Sequence, residues 1–173
     1  RGKTKRIFCE KETSCLQPGD VLPKYTISDT IGISEPNAFE YGYFAGDGYI
    51  EKACSSPHIC HAMGVDNLDA LRIKGRRIKP QIKEGYKHPY CRIAMSKVLT
   101  DSELCKNLND KWSGIPNICF SWDNASILEF IAGLVESDGT VTSKGAGQSE
   151  SYRIYGPEQL CRDLVLLLTR CGI

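Results

Sequence analysis

The chain has 173 residues, is 41% hydrophobic and 25% charged, and carries a formal net charge of +1. That is enough for one ordinary domain, or two small halves, around a real core. No apolar run approaches the ~20 residues of a membrane span and no signal peptide is visible, while the near-neutral balance gives no global sign of nucleic-acid binding.

In chain order, Pro18-Gly19-Asp20 reads as a turn between strands. Residues 40–50, EYGYFAGDGYI, predict a helix that ends at Asp47-Gly48. Two strands follow, Tyr49–Ala53 and about Ile59–Met63, and a second helix starts near Asp66. Cys54, His58, Cys60 and His61 can be drawn as a zinc site. On a strand, however, Cys60 and His61 point to opposite faces, which argues against it. The nine cysteines form no Cys-x-x-Cys pair, and several lie in apolar segments. Reduced, mostly buried thiols in a cytoplasmic protein are the expectation.

Residues 72–92, RIKGRRIKPQIKEGYKHPYCR, concentrate positive charge. Arg72, Lys74, Arg76, Arg77, Lys79, Lys83, Lys87 and Arg92 stand against one acid, Glu84. Arg77, Lys79, Gln81 and Lys83 share one strand parity, Glu84-Gly85-Tyr86 suits a turn, and Tyr90, Arg92 and Ala94 continue a second strand. Such a hairpin is either a reader of phosphates or a solvated edge whose lysines prevent aggregation. A short helix is expected near Asp101–Asn109, followed by Lys111-Trp112-Ser113-Gly114-Ile115-Pro116.

Residues 126–141, SILEFIAGLVESDGTV, form a second helix ending in Asp138-Gly139. Strands at Thr140–Ser143 and about Ser151–Tyr155 follow, then a helix from Pro157 with Leu160, Leu164, Leu167 and Leu168 at helical spacing. Cys171-Gly172 reads as its stop. This order repeats the first half. At a shift of 91, Gly42, Asp47 and Gly48 fall on Gly133, Asp138 and Gly139. The expected fold is therefore α+β (an α/β sandwich) with two pseudo-symmetric halves, the second cut short before its basic hairpin.

Glycine inside a helix costs about 1 kcal/mol relative to alanine. Gly42 and Gly46, and Gly133 and Ser137, lie four apart and make smooth stripes through which two helices can approach closely. Packing the repeated helices together sets Asp47 beside Asp138, two carboxylates at two negative helix ends, which a hard divalent cation would relieve. For a single copy, an Asp-Gly pair opening a turn into a strand is the simpler reading.

The two stretches EYGYFAGDG and IAGLVESDG resemble the paired motifs of LAGLIDADG homing endonucleases, the first in the looser form seen in intein-borne enzymes. The resemblance covers about residues 36–173 and implies αββαββα halves and a monomer that cuts double-stranded DNA. It implies that Asp47 and Asp138 bind Mg²⁺ (or Mn²⁺) and are catalytic. Motif position six is Ala45 in one copy and Glu136 in the other, so no role is given to it. The family's Lys-x-Ile-Pro block is matched at Ile115-Pro116, but Ser113 takes the lysine position. Lys111 lies two residues early and is the candidate catalytic lysine. The basic residues from Arg72 to Arg92 would contact DNA, with His61 or its neighbours as further candidates. Leu16–Leu22 resembles a segment of an intein splicing domain. The implied layout is thus 1–30 splicing region and linker, 31–118 first repeat and 119–173 second. No splicing nucleophile or terminal His-Asn accompanies it, so a chain unable to splice is expected. A DNA-binding module that has lost cleavage is the alternative, and an RNA maturase a third.

Overall fold

The computed structural model describes residues 32–62, 72–77, 90–142 and 151–173. The expected splicing region and linker at 1–30, the helix start at Asp66 and the turn at 84–86 lie outside the described residues. The architecture is α+β. Helix α1 (Ala38–Asp47) leads into strands β1 (Gly48–Glu51) and β2 (Ser56–Ala62), then β3 (Arg76–Arg77), β4 (Tyr90–Ala94) and helix α2 (Ser102–Asn109). Two short 3₁₀ turns, Lys111–Ser113 and Asn117–Ser121, precede helix α3 (Asn124–Asp138), strands β5 (Gly139–Thr142) and β6 (Ser151–Ile154), and helix α4 (Glu158–Arg170).

Strands β1 to β4 form one antiparallel sheet in the order β1-β2-β4-β3, and β5 and β6 form a separate antiparallel pair. Cross-strand partners share a face of a sheet. The row Gly48–Ile59–Ile93–Arg77 therefore belongs to one face, where Ile59 and Ile93 are buried. The row Tyr49–His58–Ala94–Arg76 belongs to the other. Helices α1 and α2 pack on this sheet, and α3 packs on β5 and β6.

One hydrophobic core runs from Ala38 to Leu167 and takes residues from all four α-helices and from β2 and β4. Tyr43, Phe44, Ile127, Phe130 and Leu134 are its helical centre, with Trp122 set edge-on to Phe130. The caps follow residue chemistry. Asp101 accepts the Leu104 N–H and Asp123 accepts the Ser126 N–H, closing the first turns of α2 and α3. The Ser126 bond is also the main reason the Asp123 carboxyl lies below its ordinary range. After α4, Gly172 adopts φ +82° and returns its N–H to Thr169 O, as the Cys171-Gly172 stop predicts. Cys91, Cys105 and Cys119 are buried, and burial pushes the Cys105 and Cys119 thiols up to about 12. These two are protonated packing groups at neutral pH. Among the described residues no helix is long and apolar enough to cross a membrane.

Helices α1 and α3 make the most extensive contact between elements. They run parallel, because Gly42 meets Phe130 and, further along, Gly46 meets Ser137. A Cβ at Gly42 would strike Phe130 O, and a Cβ at Gly133 would strike Phe39 O. The glycines thus do not face each other. Each lies against the carbonyl of a phenylalanine on the opposite helix, and those two phenylalanines are themselves a 91-residue pair. Gly133→Leu should therefore lower stability by roughly 1–3 kcal/mol or more through overpacking against backbone. Gly42→Leu should do the same. Thermal or urea unfolding checks this, and an unchanged midpoint in either variant would place that glycine away from the interface.

Candidate active site and nucleic-acid interface

The helix pair ends in two acids. Asp47 is the last residue of α1 and Asp138 the last of α3, and both are half-buried. The parallel packing brings them to the same end, with the Asp138 carboxyl carbon only 3.4 Å from the Cβ position of Gly46, Asp47's neighbour. Each helix leaves in the same way. Gly48 has φ −81° and ψ 158°, and Gly139 has φ −82° and ψ 158°. Their N–H groups return to Phe44 O and Val135 O, again a pair 91 apart. A side chain at either glycine would collide with those carbonyls. Glycine after the acid is thus what lets the chain turn from helix to strand with no loop. Tyr43 lies fully buried beside this end, its phenol pushed far up by burial and by the nearby carboxylates of Asp47 and Glu136.

Two carboxylates at helix C-termini suit a hard cation that takes one or two protein carboxylates and completes its shell with water and phosphate oxygens. Among the described residues no cluster of three or more His, Cys, Asp or Glu makes a closed metal cage. The donor set fits Mg²⁺ or Mn²⁺ shared with a substrate better than a structural zinc.

The outer face of the large sheet carries the polar row. Arg92 Nη2 donates to Glu51 Oε2 at 3.0 Å, and the guanidinium carbon lies 5.9 Å from the centre of the Tyr49 ring. His58 stacks on Tyr49 at 5.6 Å, with Nε2 3.6 Å from the same Glu51 oxygen. The Arg92 hydrogen bond holds Glu51 below the ordinary carboxylate range, and Glu51 in turn raises Arg92. Burial pushes the Tyr49 phenol up. Exposed Arg76 shares this face. On the small sheet, Arg153 pairs with Thr140 and is exposed.

The basic stretch divides by position. Arg72 donates to Glu129 on α3 at 2.7 Å and stacks 4.3 Å over Phe39. Lys74 reaches Pro36 O at 3.3 Å and lies 3.6 Å from buried Glu40. These two cations are engaged with the first turns of α1 and with α3, at the end of α1 away from Asp47. Arg76 and Arg92 belong instead to the outer sheet face, while the register sets Arg77 opposite buried Ile93. Lys79, Lys83 and Lys87 lie outside the described residues.

Lys111 opens a 3₁₀ turn whose packing partners are α2 and α4 rather than the α1–α3 pair. Asp110 caps this turn, accepting from the Trp112 N–H at 3.3 Å and from Ser113 Oγ at 2.6 Å. Ser113 is therefore a donor to the Asp110 cap. The following Gly114 has φ +82° and abuts Asp163 Oδ2. That oxygen accepts the Ile115 N–H at 2.8 Å, and Gln159 Nε2 donates to Asp163 Oδ1 at 2.8 Å. Asp163 is buried on α4 and anchors the whole 111–116 turn across 48 residues of sequence. Sequence reasoning missed Asp163, Tyr49, Glu51 and Arg153, and considered His58 only for a zinc site. The only signal for Asp163 was a lone acid on the leucine face of α4; the sheet residues required the strand register.

Asp163→Ala leaves the buried Ile115 N–H without an acceptor and should cost roughly 1–3 kcal/mol. Asp163→Asn keeps an amide oxygen and should cost less. Urea unfolding of the two variants checks the order; equal stability of Asp163→Ala and the parent protein would show that α4 does not hold the turn.

Comparison of the chain with protein-family models, with curated proteins and with solved structures returned no match.

Proposed function

We propose that the protein is a DNA endonuclease of LAGLIDADG type, built from two pseudo-symmetric halves and borne by an intein. The observation that carries this reading is the α1–α3 pair. Two helices 91 residues apart in sequence touch through reciprocal glycine–carbonyl contacts and end together in Asp47 and Asp138. Each then enters a β-hairpin through a glycine of the same conformation. A single Asp-Gly turn needs no such pairing, whereas a site serving two DNA strands does.

Asp47 and Asp138 would hold Mg²⁺ or Mn²⁺, which when bound activates water and neutralises charge on the leaving oxygen. The chain's own contribution is position. The helix pair sets the two acids together, the dry core beneath them keeps them fixed, and each acid lies at the start of a strand whose outer face would meet the duplex. Arg76 and Arg153 on those faces supply phosphate contacts, and the polar row around Arg92 supplies contacts to bases. Lys111 is the weakest member of the proposed site. Its turn is tied to α2 and α4, and this favours, as a second reading, a module that binds duplex DNA without cutting it.

Cleavage separates the two. Asp47→Asn and Asp138→Asn should each abolish Mg²⁺-dependent cutting of duplex DNA carrying a selected site, with affinity changed far less. Full cutting by either variant removes that acid from the site, and a parent protein that binds but never cuts supports the binding module.

Phosphate contact is tested by salt. Arg76→Ala combined with Arg153→Ala should weaken binding to any duplex and flatten the log–log salt dependence by up to about two units. Titrations at several salt concentrations check it; an unchanged slope would move the DNA-binding face elsewhere.

A further inference from the structure

Resting on the DNA reading above, we propose that Glu51 is a specificity-determining residue. It holds Arg92 in one pose on the outer sheet face, where the guanidinium reads a guanine edge and is withheld from phosphate. Four side chains from three adjacent strands build the device: Tyr49 and Glu51 on β1, His58 on β2 and Arg92 on β4. The Glu51 oxygen that binds Arg92 at 3.0 Å also faces His58 Nε2 at 3.6 Å. The other ring nitrogen, Nδ1, donates to Ser56 O at 3.1 Å, which fixes the imidazole beneath Tyr49. Arg92 is thus braced by a carboxylate on one side and an aromatic ring on the other, and its side chain is only 24% exposed.

The brace does not exhaust the guanidinium. Arginine has five N–H donors in a planar fork; Nε of Arg92 is buried out of a ligand's reach, and Glu51 and Tyr49 engage part of the rest. The Nη hydrogens not so engaged, on a side chain that remains partly exposed, are the donors left to offer. Guanine presents two neutral acceptors, O6 and N7, in the major groove. Adding them leaves the Glu51–Arg92 pair intact. A phosphate would bring a second anion beside Glu51 and be repelled by it. An unbraced arginine would take either partner and would lose more side-chain freedom in doing so. Glu51 thus lowers affinity for DNA in general and raises discrimination at one base pair.

The experiment is selection of binding sites from a randomised duplex pool, together with titration on random duplex at several salt concentrations. The parent protein should fix a G·C pair at one position that Arg92→Lys loses, since an ammonium cannot fork. Glu51→Gln should lose roughly 5- to 100-fold of the preference at that same position. It should also bind random duplex more tightly, with the salt dependence steeper by about one unit. Identical selected sites and identical slopes in the parent protein and Glu51→Gln would overturn the role of Glu51 and leave the DNA reading standing. A guanine preference that survives in Arg92→Lys would overturn it equally, by a variant that keeps the charge and the ion pair. Failure of the parent protein to enrich any duplex would overturn both.

Discussion

The close parallel approach of α1 and α3 is the constraint on which the rest depends. Parallel helices bring like ends together, so their macrodipoles repel rather than cancel. Something must hold them there, and the contact is made through backbone: Gly42 on Phe130 O and Gly133 on Phe39 O. At that separation no side chain fits between the helices. The flanking aromatics spread sideways, where Tyr43, Phe44 and Phe130 become the centre of the core. The glycines weaken each helix by about 1 kcal/mol apiece, and the apolar area gathered around the seam offsets that several times over. A fold needing only stability would use alanine and a wider spacing. The close seam makes sense when the helix ends, rather than the helices, are what must meet.

The same constraint sets the sheets. Because Gly48 and Gly139 leave their helices directly into strands, the orientation of each hairpin is locked to the helix that precedes it. The distance between the acids and the outer sheet faces is then fixed by covalent geometry over one or two residues. That is a short, stiff path from a proposed cutting centre to a proposed reading surface. Small shifts in the helix seam would be transmitted to both.

Much of this was legible in the sequence because it was written twice. The Asp-Gly pairs, the small-residue stripes and the first strand after each recur at a shift of 91, and the repeat turned weak local signals into a definite pairing. Boundaries came within a few residues: β1 starts at Gly48 rather than Tyr49, and β2 at Ser56 rather than Ile59. What the sequence could not convey is contact between segments that do not repeat. Arg72 and Lys74 look no different from Arg76 in a list of basic residues. Only the fold reveals that the first two turn to Glu129, Phe39, Pro36 and Glu40, while Arg76 stays on the sheet. The Ile115–Asp163 bond is equally invisible, since nothing local marks one acid on α4 as the anchor of a turn 48 residues away.

The Lys74–Glu40 contact shows where part of the basic cluster is engaged. Glu40 is almost fully buried in the first turn of α1, where a carboxylate without partners would be costly. It accepts the Lys74 N–H at 3.3 Å and lies 3.6 Å from the Lys74 ammonium. Arg72 is matched to Glu129 in the same region. Two of the cluster's cations are thereby neutralised against the helices, and the segment entering β3 is tied down just before it pairs with β4. In the described residues of β3, Arg76 pairs with Ala94 and Arg77 with Ile93 of β4. That register sets Arg76 in the outer row with Tyr49 and His58. Glu40 and Glu129 tie this segment to the helices and leave the outer face to Arg76 and the Glu51–Arg92 pair.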